Sequence, residues 1–151
     1  MATDNDDVID TLNDLIETSR DGEYGFRTSA EHAQSSELKT MLMRHAEECR
    51  SAAQELMALV RQLGGKAEES GSVSGALHRG WVSVRSALSG HTDQATLDEC
   101  ERGEDVAVAS YRKALKQELP AAIRSVVERQ AQGAQRNHDQ IKALRDAIKK
   151  A

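Results

Sequence analysis

The sixteen residues LNDLIETSRDGEYGFR, Leu12 to Arg27, decide the architecture. Leu12, Ile16, Ser19, Glu23 and Phe26 recur at alternating spacings of three and four, which puts them on one face of an α-helix. The stripe runs back to Ile9 and on to Ala30 and Ala33, so one helix is expected over residues 4–34, with Asp4 and Asp7 as a capping pair at the positive end of its dipole. After a reset at Gln34-Ser35-Ser36, a second stripe (Leu38, Leu42, His45, Cys49, Ala52, Leu56, Leu59, Leu63) predicts a helix over 36–63, stopped by Gly64-Gly65.

Residues 66–73 read as a loop, and Val73, Leu77, Trp81, Val84 and Leu88 mark a short amphipathic helix over 73–89, with Trp81 pinning it to the rest. Thr92 or Asp93 caps a third long helix, 93–118, striped by Leu97, Glu101, Glu104, Val108, Tyr111 and Leu115. Pro120, at a first turn where its missing N–H costs nothing, opens a fourth over 121–149. Its stripe is Ile123, Val127, Gln130, Ala134, Asn137, Ile141, Leu144 and Ile148.

Composition agrees with an all-α reading. The 151 residues suit a single domain, with one proline and 3% aromatic residues, too few of the latter for a sheet-rich core. No apolar run approaches the length of a membrane span, and the acidic start MATDNDDV does not resemble a signal peptide, so a cytoplasmic protein with no membrane partner is expected. A net charge of −5 argues against nucleic acid as partner, and a homo-oligomer is compatible with these features. Cys49 and Cys100 lie inside helical patterns and read as small core residues, without a disulfide framework. There is no phosphate loop, nucleophile elbow, Cys-x-x-Cys or His-Glu-x-x-His.

The long helices are rods of roughly 40 to 45 Å. Tight first and last turns make two antiparallel hairpins, while the near-thirty-residue middle connection is long enough to cross the bundle and leave the second and third rods parallel. The expected fold is therefore a ferritin-like up-down-down-up four-helix bundle with a short extra helix in the crossover.

Polarity within the stripes is concentrated at mid-height: Glu23, His45, Glu101, Glu104, Gln130 and Asn137. Counting from the first turn brings Glu23 level with Glu48, and counting from the last brings Glu104 level with residues 130–134. Ionised carboxylates buried without partners cost several kcal/mol each, so such a belt requires a metal, a shared proton or water. A weak internal repeat aligns Arg20-Asp21-Gly22-Glu23 with Glu101-Arg102-Gly103-Glu104. It makes Glu23, His45 and Glu48 one half-site and leaves Glu104, Gln130 and Gly133 as its depleted mate. Gly22 and Gly103, unfavourable in mid-helix, point to a close helix approach or a π-bulge.

The segments Leu12–Arg27, GSVSGALHRGW (71–81), CERGEDVAVASYRKAL (100–115) and VERQAQGAQRNHDQIKALRD (127–146) resemble an uncharacterised bacterial four-helix-bundle family, a domain of unknown function placed in the ferritin-like superfamily. The resemblance implies a cytoplasmic bacterial bundle without an established activity. The superfamily's di-iron centres use Glu-x-x-His pairs. Here the second helix offers the reversed His45-Ala46-Glu47-Glu48, and the fourth offers none.

Two main readings of the belt stand open, with a redox enzyme built on a di-metal centre as a third. In the first, Glu23, His45, Glu48 and Glu104 hold one metal ion, Fe, Mn or Zn, in a degenerate centre that binds without turnover. In the second, the protein is an interaction or stress-associated scaffold with a hydrogen-bonded polar layer: His45 bonds to Glu23, Arg27 and Arg102 neutralise Glu23 and Glu104, and Gln130 and Asn137 act as amide glue. Tyr24 and Tyr111 read as packing. His138-Asp139 reads as a solvated face, and His32, His78 and His91 as exposed.

Overall fold

The starts of the second and third long helices and the end of the second follow from caps that the sequence supplies. In a computed structural model of the protein, which describes residues 5–67 and 92–150, the described helices are α1 (Asn5–His32), α2 (Ser36–Gln62), α3 (Asp93–Leu115) and α4 (Ala121–Lys150). The expected helix over 73–89, with Trp81, lies outside the described residues.

Ser35 is the N-cap of α2, its hydroxyl accepting from the Leu38 amide at 3.2 Å. Thr92 does the same for α3, accepting from the Ala95 amide. Asp93, the other capping candidate, reaches across the bundle instead: its carboxylate accepts from the Gln34 and Ser35 amides at 2.7 and 3.1 Å, tying the α1–α2 turn to the start of α3.

At the far end of α2, the Gly64 amide bonds to the Arg61 carbonyl and the Gly65 amide to the Val60 carbonyl, with Gly64 at φ +78°. That pair of bonds is a Schellman stop, and its left-handed residue favours glycine. α3 ends at Leu115, not at 118. There the Lys116 and Gln117 amides turn back to carbonyls three residues earlier, tightening the last turn, and the Arg124 guanidinium donates to the Leu115 and Gln117 carbonyls. The Pro120 carbonyl accepts from the Arg124 amide and starts α4.

Two apolar clusters close the bundle at its ends. One joins Phe26 and Ala30 of α1 to Leu38 and Leu42 of α2, Leu97 and Cys100 of α3, and Ile141 of α4. The other joins Leu12 and Ile16 to Leu56 and Val60, Tyr111 and Ala114, and Ile123 and Val127. The end of α1 therefore meets the starts of α2 and α3 and the far half of α4, so α2 and α3 run in the same direction and α1 and α4 in the opposite one. The structure is an all-α four-helix bundle. Leu144 and Ile148, expected on the α4 core stripe, are exposed, and Ile141 is the last fully buried position of that helix.

α1 packs along α2 and along α3, and α3 along α4, whereas α2 and α4 touch only over a short stretch. Small residues explain how closely α1 is embedded: Ser19, Gly22, Gly25 and Ser29 are all buried. A Cβ at Gly22 would lie 2.8 Å from Cys49 Sγ, so this glycine is there for close approach of α2, one of the two explanations its mid-helix position called for.

Candidate functional site

Between the two apolar ends the bundle opens. A cleft of about 650 Å³ lies between α2 and α4, with α1 and α3 as its floor. Small residues line it: Gly22, Gly103 and Ala107 on the floor, Ala52, Gly133 and Ala134 on the walls.

Glu104 is, with Asp21, one of two deeply buried acids lining the cleft. It is 3% exposed, lines the cleft, and its Oε2 has no hydrogen-bond partner among the described residues. Burial, reinforced by the charges of Glu48 and Asp105, raises its carboxyl to about 8, so it holds a proton at neutral pH. Arg102, one candidate partner, pairs with Glu99 at 2.7 Å instead, because i,i+3 geometry turns it away from the cleft.

Amides knit the neighbouring layer, as the scaffold reading expects. Tyr111 donates its hydroxyl to Gln130 at 2.9 Å, Gln130 donates to Glu55 at 2.7 Å, and Asn137 donates to Glu48 at 2.8 Å. Tyr111 is thus more than ring packing. Cys49 and Cys100 are both free thiols. Burial and the charges of Glu104, Glu48 and Glu23 push the Cys49 thiol well up, and burial pushes Cys100 to about 12.

The four expected ligands divide. Glu48 and Glu104 both line the cleft; Glu23 and His45 do not. Glu23 is a quarter exposed and accepts from Arg27 at 3.1 Å, the pairing the scaffold reading anticipates. His45 is fully buried, with Nε2 2.9 Å from Gln140 Oε1 and its ring at right angles to Phe26. Its partner is Gln140, not Glu23, and its Nδ1 has no hydrogen-bond partner among the described residues. Burial lowers its pKa, which favours the neutral imidazole.

A different trio converges. On the α3–α4 side, Glu101, Asp105 and His138 each offer one ligand atom, and these atoms all lie within 4.8 Å of one another. Glu101 and Asp105 are four apart and share a face of α3. His138 is correspondingly not a solvated residue: its side chain is 18% exposed, with Nε2 2.7 Å from Asp105 and Nδ1 3.3 Å from Asp139. The Arg145 guanidinium ion-pairs with Glu101. The sequence signal was the spacing of Glu101 and Asp105 together with His138 beside Asn137 on the core stripe; the register of α3 against α4, which sets Asp105 opposite His138, was the missing part.

No helix among the described residues is long and apolar enough to cross a membrane. Over residues 7–117 the chain matches the model of a family described as a domain of unknown function, DUF2383. No curated protein matches it significantly.

Proposed function

The chain belongs to the DUF2383 family, and from that premise we propose that this protein is a ferritin-like bundle binding one divalent transition-metal ion at mid-height through Glu101, Asp105 and His138. The observation carrying this reading is the convergence of two carboxylates and an imidazole, from two helices, within 4.8 Å. The donor set fits Mn²⁺, Fe²⁺ or Zn²⁺. Asp139, 3.3 Å from Nδ1, stands where metal-bound histidines commonly have an outer partner, and it would hold the proton on Nδ1 once an ion replaces the Nε2 contact with Asp105. Three protein donors leave further positions for water. The parallel course of α2 and α3, with a long connection between them, supports the ferritin-like assignment.

The scaffold reading is favoured by one specific observation: Arg145 and His138 already sit on Glu101 and Asp105, and an ion must displace the guanidinium from Glu101. Elemental analysis separates the two. Protein loaded with one equivalent of Mn²⁺, Fe²⁺ or Zn²⁺ and dialysed is expected to retain near-stoichiometric ion and to lose several degrees of thermal midpoint on adding chelator. His138→Ala should abolish retention, while His45→Ala should preserve it. Retention in His138→Ala with loss in His45→Ala would move the ion to His45, Glu48 and Glu104. No retention in the parent protein would leave the scaffold.

A further inference from the structure

The side of α3 that meets α4 carries an acidic row. Asp98, Glu101 and Asp105, spaced by three and four, share one face of that helix. Across the seam, His138 and Arg145 stand seven residues apart, about two turns along one face of α4. His138 Nε2 meets Asp105 at 2.7 Å, while the Arg145 guanidinium ion-pairs with Glu101 and lies 4.0 Å from Asp98. Glu101 belongs to both sets, because it also offers a ligand atom within 4.8 Å of those of Asp105 and His138.

Arg145 is held at this place by charge more than by fit. Its side chain is 19% exposed and that of Glu101 17%, so the pair is largely withdrawn from water and its attraction is weakly screened. The guanidinium fork is nevertheless not closed on the acid. Nε makes no hydrogen bond among the described residues, and Nη2 turns to Asp146 on its own helix at 3.1 Å, which leaves Nη1 on Glu101. A bidentate arginine–carboxylate fork locks an acid in place, whereas a contact through one nitrogen leaves the pair open to exchange. From Lys142 to Ile148 no side chain is fully buried, so the guanidinium can swing without opening the core.

A divalent ion on Glu101, Asp105 and His138 takes the carboxylate that neutralises Arg145. The two cations repel each other in a place with little water, so they do not share it. Asp98 and Asp146 give the displaced guanidinium somewhere to go. By linkage, whatever free energy the Arg145–Glu101 pair contributes to the ion-free protein is subtracted from ion binding.

We infer that Arg145 is a built-in competitor for the ion: its guanidinium occupies Glu101 in the ion-free protein, is displaced on loading, and thereby sets the affinity of the Glu101–Asp105–His138 site. The inference rests on the metal reading above and adds to it an internal cation that makes the bound ion exchangeable.

Zn²⁺ and Mn²⁺, titrated separately by calorimetry at pH 7.5 into the full chain and its variants, test this. Arg145→Gln removes the competing charge and should bind the ion about tenfold more tightly than the parent. Arg145→Lys restores a cation and should give back most of that gain. Arg50→Gln changes the net charge equally, but Arg50 pairs with Glu47 on α2, and this variant should stay within about twofold of the parent. Stability supplies a second readout. In chelator, Arg145→Gln should melt below the parent, because Glu101 and Asp105 repel without their counter-charge, and under saturating ion the deficit should vanish. Parent-like affinity in Arg145→Gln, a gain matched by Arg50→Gln or kept in Arg145→Lys, or a melting deficit of equal size with and without ion overturns the inference and leaves the metal reading standing. No ion binding in either the parent or Arg145→Gln, or binding that survives His138→Ala, overturns both.

Discussion

Replacing Glu104 by Gln should remove most of the pH dependence that this buried acid imposes on folding. The carboxyl has an ordinary value of 4.5 and is raised to about 8 in the folded protein. Between those values the native state holds a proton that the unfolded chain has released, so stability falls as pH rises. The favourable contribution is whole below about pH 4.5 and gone above about pH 8. At about 1.4 kcal/mol per pH unit, the full interval corresponds to at most about 5 kcal/mol, and relaxation or water entry into the cleft brings the expected figure to about 2 to 4 kcal/mol. Gln has nearly the same shape and never ionises, so the variant should be more stable than the parent at pH 9 by that amount and within about 1 kcal/mol of it at pH 5. Urea unfolding of both proteins from pH 5 to 9, with chelator present, measures the difference directly. Taking the difference matters because His45, lowered by burial, gives the opposite slope in both proteins: its contribution is present above about pH 6.5 and lost as pH falls. A parent-minus-variant difference that stays constant across the range would refute the placement of Glu104 as a desolvated acid.

Three further outcomes follow from the packing. Gly22→Ala should cost about 1 to 3 kcal/mol through the 2.8 Å clash with Cys49 Sγ, and in a Cys49→Ala background the same change should become neutral or stabilising, as alanine is the better helix former; a double-mutant cycle of unfolding free energies measures the coupling. Gly64→Ala should cost about 1 kcal/mol, because φ +78° is strained for alanine, and Gly64→Asn less; thermal denaturation ranks the two. Both cysteines should react slowly with a disulfide reagent in the native protein at pH 7.5 and rapidly after unfolding, since only the thiolate attacks and both thiols are pushed up by burial. Fast native labelling at Cys49 would show that it lies in water.

Helix placement was legible in the sequence because helices are local. Ser35, Thr92, Gly64 and Pro120 each act through hydrogen bonds or dihedral angles within a few residues, so their effects can be read in order along the chain. The two hairpins and the parallel course of α2 and α3 followed from turn and connection lengths. Even the amide glue was readable, since Gln130 and Asn137 sit on a stripe that faces the other rods.

Partner choice was not legible, because it depends on register between helices to a fraction of a turn. Spacing set His45 and Glu48 three apart on one helix, yet the packing of Phe26 and Gln140 sealed the imidazole away while Glu48 stayed at the mouth of the cleft. Arg102 lay near Glu104 in sequence but turned to Glu99, and His138, which composition assigned to solvent, met Asp105 across the α3–α4 seam. The chain alone determined which residues lie at mid-height. Tertiary structure decided which of them touch, because a side chain reaches only a few ångströms and one residue of slip rotates a helical position by about 100°.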